Sequence, residues 1–288
     1  MSKKLISLII LLMSNFAQGS EVAWNLTFDN EFNLPLVTIN IKGENVVLGL
    51  DTGSKKSLHL PMNLIDKIKN KTEQSHKIKS MDLSGNINES RSFIINNLTL
   101  NSFHFKKINV VEYKDWGMFF SSDSSSDNKD HKNINIPVIG LGLFDDYMLT
   151  INYPERKIII TDENNIPANL DEKWVSMPFH LNEEGLVIEM TDDIKNYKMI
   201  LDSGASISII KEQSLSPQTV KINEDDSDYQ LVSLQVNNIL TDKIEAIILD
   251  SFPAEFQSDG LLGFDFLSKN LVKIDFKNKK LWIQAEVQ

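Results

Sequence analysis

The feature that most constrains this chain is an internal duplication. Each half contains an apolar pair followed by glycine, and then two apolar stretches separated by a polar turn, a pattern that predicts a two-stranded hairpin. The stretches 139–144, 148–153 and 157–160 correspond without a gap to 262–267, 271–276 and 280–283. Self-similarity at a fixed offset indicates that one structural unit occurs twice. We therefore expect two related halves rather than one unrepeated core.

Each half also carries an aspartate in the same local setting. Asp51-Thr52-Gly53 follows the apolar run 46–50, and Asp202-Ser203-Gly204 follows the apolar run 199–201. The two aspartates are 151 residues apart (202 − 51), which leaves room for a small domain around each. One such tripeptide usually marks a turn, because aspartate hydrogen-bonds its own backbone there. Its recurrence inside a repeated frame favours a functional pair over two unrelated turns.

Two carboxyl groups that face each other do not both ionise easily, so the pair retains one proton over a wide pH range. Such a pair can act as general base and general acid in a hydrolysis that has no covalent intermediate. We expect Asp51 and Asp202 to be the catalytic residues. Supporting roles are expected nearby: the hydroxyls of Thr52 and Ser203 lock the paired turns, Gly53 and Gly204 allow close backbone approach, and Ser54 and Ser206 orient the carboxylates from outside.

The composition argues against several other kinds of function. The 288 residues are 41% hydrophobic and 24% charged, with a formal net charge of −11 and scattered basic residues. Nucleic acid and anionic membranes are therefore not expected as partners, because both need clustered cations. There is no cysteine for disulfides or thiol chemistry, and the five histidines lack metal-ligand spacing. We expect no metal and no cofactor, and interpret the polar stretch 121–135 as a solvated insertion because it lacks the glycine and final glutamate of a calcium loop.

The N-terminus has the organisation of a secretory signal peptide. Lys3-Lys4 precede a short apolar stretch from Leu5 to Met13, and Ala17-Gln18-Gly19 supplies small residues for cleavage. The alternative is a buried hydrophobic helix or strand. The apolar run is too short for an ordinary membrane span. We therefore predict that residues 1–19 direct export, to the periplasm or out of the cell, and that the remaining chain has no stable membrane insertion.

The two halves differ in length between corresponding motifs. Asp51 and Gly140 are 89 positions apart (140 − 51), whereas Asp202 and Gly263 are 61 positions apart (263 − 202). The surplus includes a predicted hairpin whose tip is Ser84-Gly85-Asn86. A hairpin present in one half only is expected to act as a single substrate-binding flap over a cleft. The predicted domains are 20–165, which includes this flap, and 166–288.

Two local predictions concern the stretch that follows the first motif. Residues 57–61 are typical of a short strand, and Met62 to Asn70 are typical of a helix. His59 is a lone histidine among apolar neighbours, so a structural role is favoured over a catalytic one.

With both motifs described, the chain resembles the aspartic peptidases, the family that includes pepsins and retropepsins. Residues 51–54 and 202–206 match the family's active-site motif, and Ile139-Gly140 and Leu262-Gly263 match its second signature, over roughly 25–288. The resemblance implies a mostly β, bilobal aspartic-protease fold with two related β-barrel-like domains and a central cleft. It also implies an endopeptidase that hydrolyses an extended peptide or protein substrate through a water held between Asp51 and Asp202.

The chain departs from pepsins in three respects. It is shorter, it has no cysteine for disulfides, and the stretch 80–92 has no tyrosine, so that its Ser84-Gly85-Asn86 tip is more similar to retropepsin flaps. No pro-segment is evident between Gly19 and the first predicted strand. Because the fused halves make dimerisation unnecessary for the site, a monomer is expected. The alternative function is a non-catalytic peptide-binding protein that kept this fold.

Overall fold

The structure is a computed structural model, which describes residues 21–81, 87–114, 136–162, 174–223, 229–236 and 243–285. These residues form mainly β-strands, and the helices among them are about one turn long. The predicted signal peptide at 1–19 and the polar stretch 121–135 lie outside the described residues.

The first half of the chain is built almost entirely from strands. Its elements in chain order are β1 (Glu21–Phe28), β2 (Pro35–Ile41), β3 (Glu44–Asp51), β4 (Leu58–Leu60), α1 (Met62–Ile65), β5 (Lys71–Glu73), β6 (Ile78–Met81), β7 (Ile87–Ser90), β8 (Ser92–Leu100), β9 (Phe103–Glu112), β10 (Val138–Gly140), a 3-10 turn (Leu141–Leu143), β11 (Tyr147–Asn152) and β12 (Lys157–Asp162).

The second half follows the same plan with fewer strands between the two motifs. Its elements are β13 (Val175–Pro178), β14 (His180–Asn182), β15 (Gly185–Thr191), β16 (Asn196–Leu201), β17 (Ile209–Lys211), a 3-10 turn (Glu212–Ser214), β18 (Ile222–Asn223), β19 (Gln230–Val236), β20 (Ile244–Leu249), β21 (Gly260–Leu262), α2 (Phe264–Leu267), β22 (Asn270–Asp275) and β23 (Lys280–Ala285).

In each half, the strand that leads into the aspartate has equivalent neighbours. β3 pairs antiparallel with β2 and parallel with β10, which places Gly140 opposite Asp51. β16 pairs antiparallel with β15 and parallel with β21, and the Asp202 N–H donates to the Leu262 carbonyl at 2.9 Å. The duplication thus produces two six-stranded barrels, each with an aspartate at the end of an inner strand.

One sheet joins the two halves. The part of this 13-stranded sheet that spans both halves has the order β1-β12-β11-β22-β23-β13, with three strands from each half. At the centre, β11 and β22 run antiparallel, with Leu149 opposite Ile274. Both side chains are fully buried, so apolar burial adds to backbone pairing in holding the halves together.

The burial pattern explains the hydrophobic signals in the sequence. Along β2, Val37 and Ile39 are buried while Thr38 and Asn40 are exposed, the alternation expected of a strand with one face in the core. Residues 48–50 at the end of β3 are all buried, which requires cover on both faces. An apolar run that ends in aspartate therefore marks the strand that enters the centre of the molecule.

The expected mostly β, bilobal architecture is confirmed. The predicted strand after the first motif is β4, and the predicted hairpins are β11–β12 and β22–β23. The helix predicted from Met62 to Asn70 is wrong beyond its first turn, since α1 ends at Ile65. The Ile68 N–H donates to the Ile65 carbonyl at 3.0 Å, and this tighter turn carries the Ile68 side chain into the core.

Candidate active site

The loops that carry the two aspartates are joined by hydrogen bonds between the halves. The Thr52 hydroxyl donates to the Leu201 carbonyl at 2.6 Å, and the Ser203 hydroxyl donates to the Leu50 carbonyl at 2.8 Å. Each hydroxyl oxygen also accepts a backbone N–H from the opposite loop: Ser203 N–H reaches Thr52 at 2.8 Å, and Thr52 N–H reaches Ser203 at 2.9 Å. Both side chains are buried. This cross-linking fixes the relative position of the two loops.

Within each loop, the glycine N–H binds the carboxylate two residues before it. Gly53 N–H donates to Asp51 Oδ1 at 2.8 Å, and Gly204 N–H donates to Asp202 Oδ1 at 2.8 Å. A Cβ on Gly53 would lie 3.1 Å from Asp51 Oδ1 and 3.2 Å from Asp202 Oδ2. Both carboxyl groups therefore lie close to the Gly53 backbone, where any side chain would crowd them.

The two carboxyl groups lie side by side in a partly buried site and share a side-chain hydrogen bond. Burial, followed by the charge of Asp202, raises the pKa of Asp51 to about 8. Burial also raises the pKa of Asp202, against the opposing effect of hydrogen bonds from the Gly204 N–H and from Asp51. Since two adjacent carboxylates repel, the pair holds a single proton from mildly acid to neutral pH.

Each half also contains an apolar-apolar-Gly sequence, here called the second motif, which ends at Gly140 or Gly263. These two glycines pack directly against the loops that carry the aspartates. A Cβ on Gly140 would lie 2.2 Å from the Lys56 carbonyl oxygen and 2.6 Å from that of Ser54. A Cβ on Gly263 would lie 2.6 Å from the Ile207 carbonyl oxygen. No larger residue fits at either position without moving a loop backbone. The apolar-apolar-Gly motif therefore packs against the backbone of each aspartate loop and helps to fix its position.

Ser54 and Ser206, predicted to orient the carboxylates, lie in different environments. The Ser54 hydroxyl oxygen is 2.8 Å from His59 Nε2. The Ser206 hydroxyl donates to the Phe32 carbonyl at 2.6 Å, across the interface between the halves. Ser206 therefore ties the second loop to the β1–β2 turn instead of the carboxylate, because the Phe32 carbonyl is within its reach.

The predicted flap is described only in part. β6 and β7 pair antiparallel, with Ile78 opposite Ser90 and Met81 opposite Ile87, which confirms the hairpin. Its tip, Ser84-Gly85-Asn86, lies outside the described residues, and its contact with substrate remains a prediction.

Two contacts, of which the first lies near the dyad, were not expected from the sequence. Tyr153 is 3% exposed, its ring lies edge-on to Phe28 at 4.9 Å, and its hydroxyl lies beside Ser203. Glu184 accepts hydrogen bonds from the Ser258 N–H at 2.9 Å and from the Ser258 hydroxyl at 2.5 Å. A sequence signal exists for Tyr153 alone: its counterpart in the repeat is Phe276, so a polar group occurs in one half only.

Two further findings concern the part of the chain that the structure describes. No group of three or more histidine, aspartate or glutamate residues there has the arrangement of a metal site. No helix there is long and apolar enough to cross a membrane.

Comparison with known proteins supports the fold at the level of structure. No protein-family model and no curated sequence matches the chain. Among solved structures, an aspartic proteinase from Irpex lacteus has a TM-score of 0.54 at 14% identity, covering 92% of this chain and 97% of that one. A basic 7S globulin from soybean has a TM-score of 0.54 at 9% identity, covering 93% and 95%. Conglutin gamma, a basic 7S globulin from lupine seeds, has a TM-score of 0.51 at 10% identity, covering 93% of this chain and 95% of that one. The chain therefore has an aspartic-protease-like fold.

Proposed function

We propose that this protein is an aspartic endopeptidase in which Asp51 and Asp202 form the catalytic dyad. The observation that supports the proposal most strongly is the partly buried, hydrogen-bonded pair of carboxyl groups, with the pKa of Asp51 raised to about 8. Placing two carboxyl groups in one partly buried site opposes ionisation and carries a cost in stability. A pair that shares one proton has a direct use in acid–base hydrolysis.

The chemistry follows from the two protonation states. The ionised carboxylate accepts a proton from a water molecule, whose oxygen attacks the carbonyl carbon of the peptide. The protonated carboxyl donates its proton to the carbonyl oxygen, which gives a neutral tetrahedral intermediate. When the C–N bond breaks, one carboxyl group supplies a proton to the leaving amine, and the other accepts one from the intermediate. The dyad returns to its singly protonated state.

The competing proposal is a peptide-binding protein without catalytic activity. Two of the three similar structures are named as globulins, so the fold is compatible with both proposals. Catalysis is favoured here because both aspartates, both glycine N–H contacts and the Thr52–Ser203 cross-link are present. Binding an extended peptide needs no pair of carboxyl groups with a shared proton.

The remaining parts of the proposal concern substrate and location. An extended peptide or protein segment would lie across the cleft between the halves, with the β6–β7 hairpin over it. The enzyme would act as a monomer, since one chain supplies both aspartates, and it would act after export directed by residues 1–19. These statements rest on the sequence predictions and on the position of the dyad between the two halves.

The test is cleavage of a peptide library by purified protein from acid to neutral pH, with and without pepstatin. Asp51→Asn and Asp202→Asn should each lower kcat/KM by about 10²–10⁴-fold, because each removes one partner of the proton transfer. Asp66→Asn is the matched control, because Asp66 is an exposed residue paired with Lys71, and its activity should equal that of the unmodified protein. Peptide binding without cleavage, or full activity in either dyad variant, would support the competing proposal.

A further inference from the structure

The side chains of the two aspartate loops have different polar partners. In the first loop the Ser54 hydroxyl oxygen lies 2.8 Å from His59 Nε2. Ser54 stands three residues after Asp51, and His59 stands eight residues after it. In the second half Ala205 takes the place of Ser54, and Ile209, opposite Leu261 as His59 is opposite Val138, takes the place of His59, so the second loop has no counterpart of this hydrogen bond.

The surrounding framework is the same in both halves, so the difference is local. β4 and β17 both pair antiparallel with the strand of the second motif. Ser57 and Ser208, each six residues after an aspartate, both bind the second motif: Ser57 donates to the Gly142 carbonyl at 2.9 Å, and Ser208 accepts the Gly263 N–H at 3.0 Å. The barrel therefore folds with alanine and isoleucine in place of the serine–histidine pair.

Ser54 contacts Asp51 directly. Its N–H donates to the Asp51 main-chain carbonyl at 3.3 Å and also favours the ionised form of the Asp51 carboxyl. Its hydroxyl oxygen would lie 2.8 Å from a Cβ on Gly140, so Ser54 is held between the dyad and the second motif. Whatever fixes the Ser54 side chain also fixes the turn that holds Asp51.

The imidazole of His59 is suited to fixing that side chain. Its neighbours on β9 and β10 are Val111 and Val138, and the charged group that acts on it is Lys56. Burial, followed by the Lys56 charge, lowers the pKa of His59 to about 4. The ring is therefore neutral over most of the pH range, and a neutral imidazole offers one donor and one acceptor nitrogen.

We propose that His59 is a positioning residue that acts through Ser54 on Asp51 and makes the two aspartates of the dyad inequivalent. The inference rests on the proposed function for its effect on cleavage. His59 touches neither substrate nor carboxyl group in this role. Its contribution is to anchor the first turn, in which the Ser54 N–H favours the ionised form of Asp51. In the second turn the Ala205 N–H acts in the same way on Asp202, and the Ser206 hydroxyl anchors that turn to Phe32 instead.

The test introduces, at two positions of the first half, the residues that the second half has at the equivalent positions. His59→Ile and Ser54→Ala should each lower kcat by between about 10-fold and 100-fold with little change in KM, because small misplacements of catalytic groups have effects of this size. The alkaline limb of the pH profile should move to higher pH, because Asp51, whose pKa is about 8, loses support for its ionised form. The double variant should be no worse than either single variant, and His59→Gln should restore part of the activity.

The controls separate positioning from folding. His104→Gln alters an exposed histidine on β9 that lies beside Thr99, and should leave the kinetics and the profile unchanged. Thermal unfolding should show that His59→Ile folds, since isoleucine occupies the equivalent site at Ile209, which lies opposite Leu261 as His59 lies opposite Val138. Additive losses in the double variant, or a His59→Ile profile that coincides with the original, would overturn the inference.

A second measurement is independent of cleavage. Titration of the aspartate carboxyl groups by ¹³C NMR should show the pKa of Asp51 rising in His59→Ile. If the unmodified protein cleaves no peptide, the proposed function fails, and the NMR titration alone decides this inference. An unchanged titration would then overturn the role of His59.

Discussion

Thr52 and Ser203 each donate a hydroxyl hydrogen bond to the opposite half and each accept an N–H from it. The two residues are 151 positions apart in sequence, yet their four hydrogen bonds are between 2.6 and 2.9 Å long. This reciprocal contact fixes the distance between the aspartates that precede the two residues.

Thr52→Val keeps the shape of the side chain but removes its hydroxyl. The Leu201 carbonyl and the Ser203 N–H then lose their partner in a buried site, and the free energy of unfolding should fall by about 1–3 kcal/mol. Urea unfolding measures this loss. Thr52→Ser retains the hydroxyl and should recover most of the stability; equal losses in both variants would show that the methyl group, and not the hydrogen bonds, matters.

The dyad should make stability depend on pH. The pKa of Asp51 is raised from 3.8 to about 8 in the folded protein, so the folded state binds more protons than the unfolded state between these values. The contribution of Asp51 to stability is therefore largest below about pH 4 and is lost as the pH rises to about 8. The slope should reach at most about 1.4 kcal/mol per pH unit for one proton.

Urea unfolding at a series of pH values tests this dependence. Asp51→Asn removes the titrating group, so the decline in stability between about pH 4 and pH 8 should become smaller. Asp66→Asn changes an exposed aspartate and should retain the decline seen in the unmodified protein. The same slope in Asp51→Asn and in the unmodified protein would contradict the raised pKa.

The second motif requires glycine for a steric reason that a matched pair of variants can isolate. A Cβ at Gly140 would lie 2.2 Å from the Lys56 carbonyl oxygen, whereas a Cβ at Gly49 would be 3.8 Å from its nearest neighbour. Gly140→Ala should lower the free energy of unfolding by about 1–3 kcal/mol or more and reduce activity by displacing the first loop. Gly49→Ala should be tolerated, and comparable losses in the two variants would refute this explanation.

Two adjacent glutamates near the cleft should differ in importance. Glu183 pairs with Lys55 at 3.0 Å, but its side chain is 99% exposed, so Glu183→Gln should leave the unfolding midpoint unchanged. Glu184 accepts two hydrogen bonds from Ser258 in a partly buried position. Glu184→Gln should cost about 1–2 kcal/mol. A larger loss for Glu183→Gln than for Glu184→Gln would reverse the ranking.

Much of the fold and of the candidate site could be read from local patterns. The apolar runs before Asp51 and Asp202 predicted the inner strands correctly, because side chains buried on both faces leave a continuous apolar signal. The helix predicted from Met62 to Asn70 was too long, because tertiary packing of Ile68 favoured a tighter turn over further helical turns. Local propensity could not weigh that competition.

The environments of Ser54 and Ser206 show which part of the candidate site could not be predicted from the sequence. Both serines follow an Asp-x-Gly motif, and the sequence suggested one role for both. In the structure, Ser54 lies beside His59, and Ser206 binds Phe32, which is 174 positions away in the sequence. Contacts between residues so far apart in the chain depend on how the two halves pack. Patterns in a single sequence do not reveal that packing.

The sequence by itself determined that the protein is a duplicated, mostly β chain with one aspartate presented by each half. The repeat, the apolar runs and the glycines are local consequences of strand burial and close backbone contact, so they are visible in the order of residues. Only the tertiary structure decided that the carboxyl groups of Asp51 and Asp202 share a hydrogen bond in a partly buried site. It also decided that Ser54 of the first aspartate loop lies within hydrogen-bonding distance of His59. Both depend on distances between segments far apart in the chain, which packing of the two barrels sets.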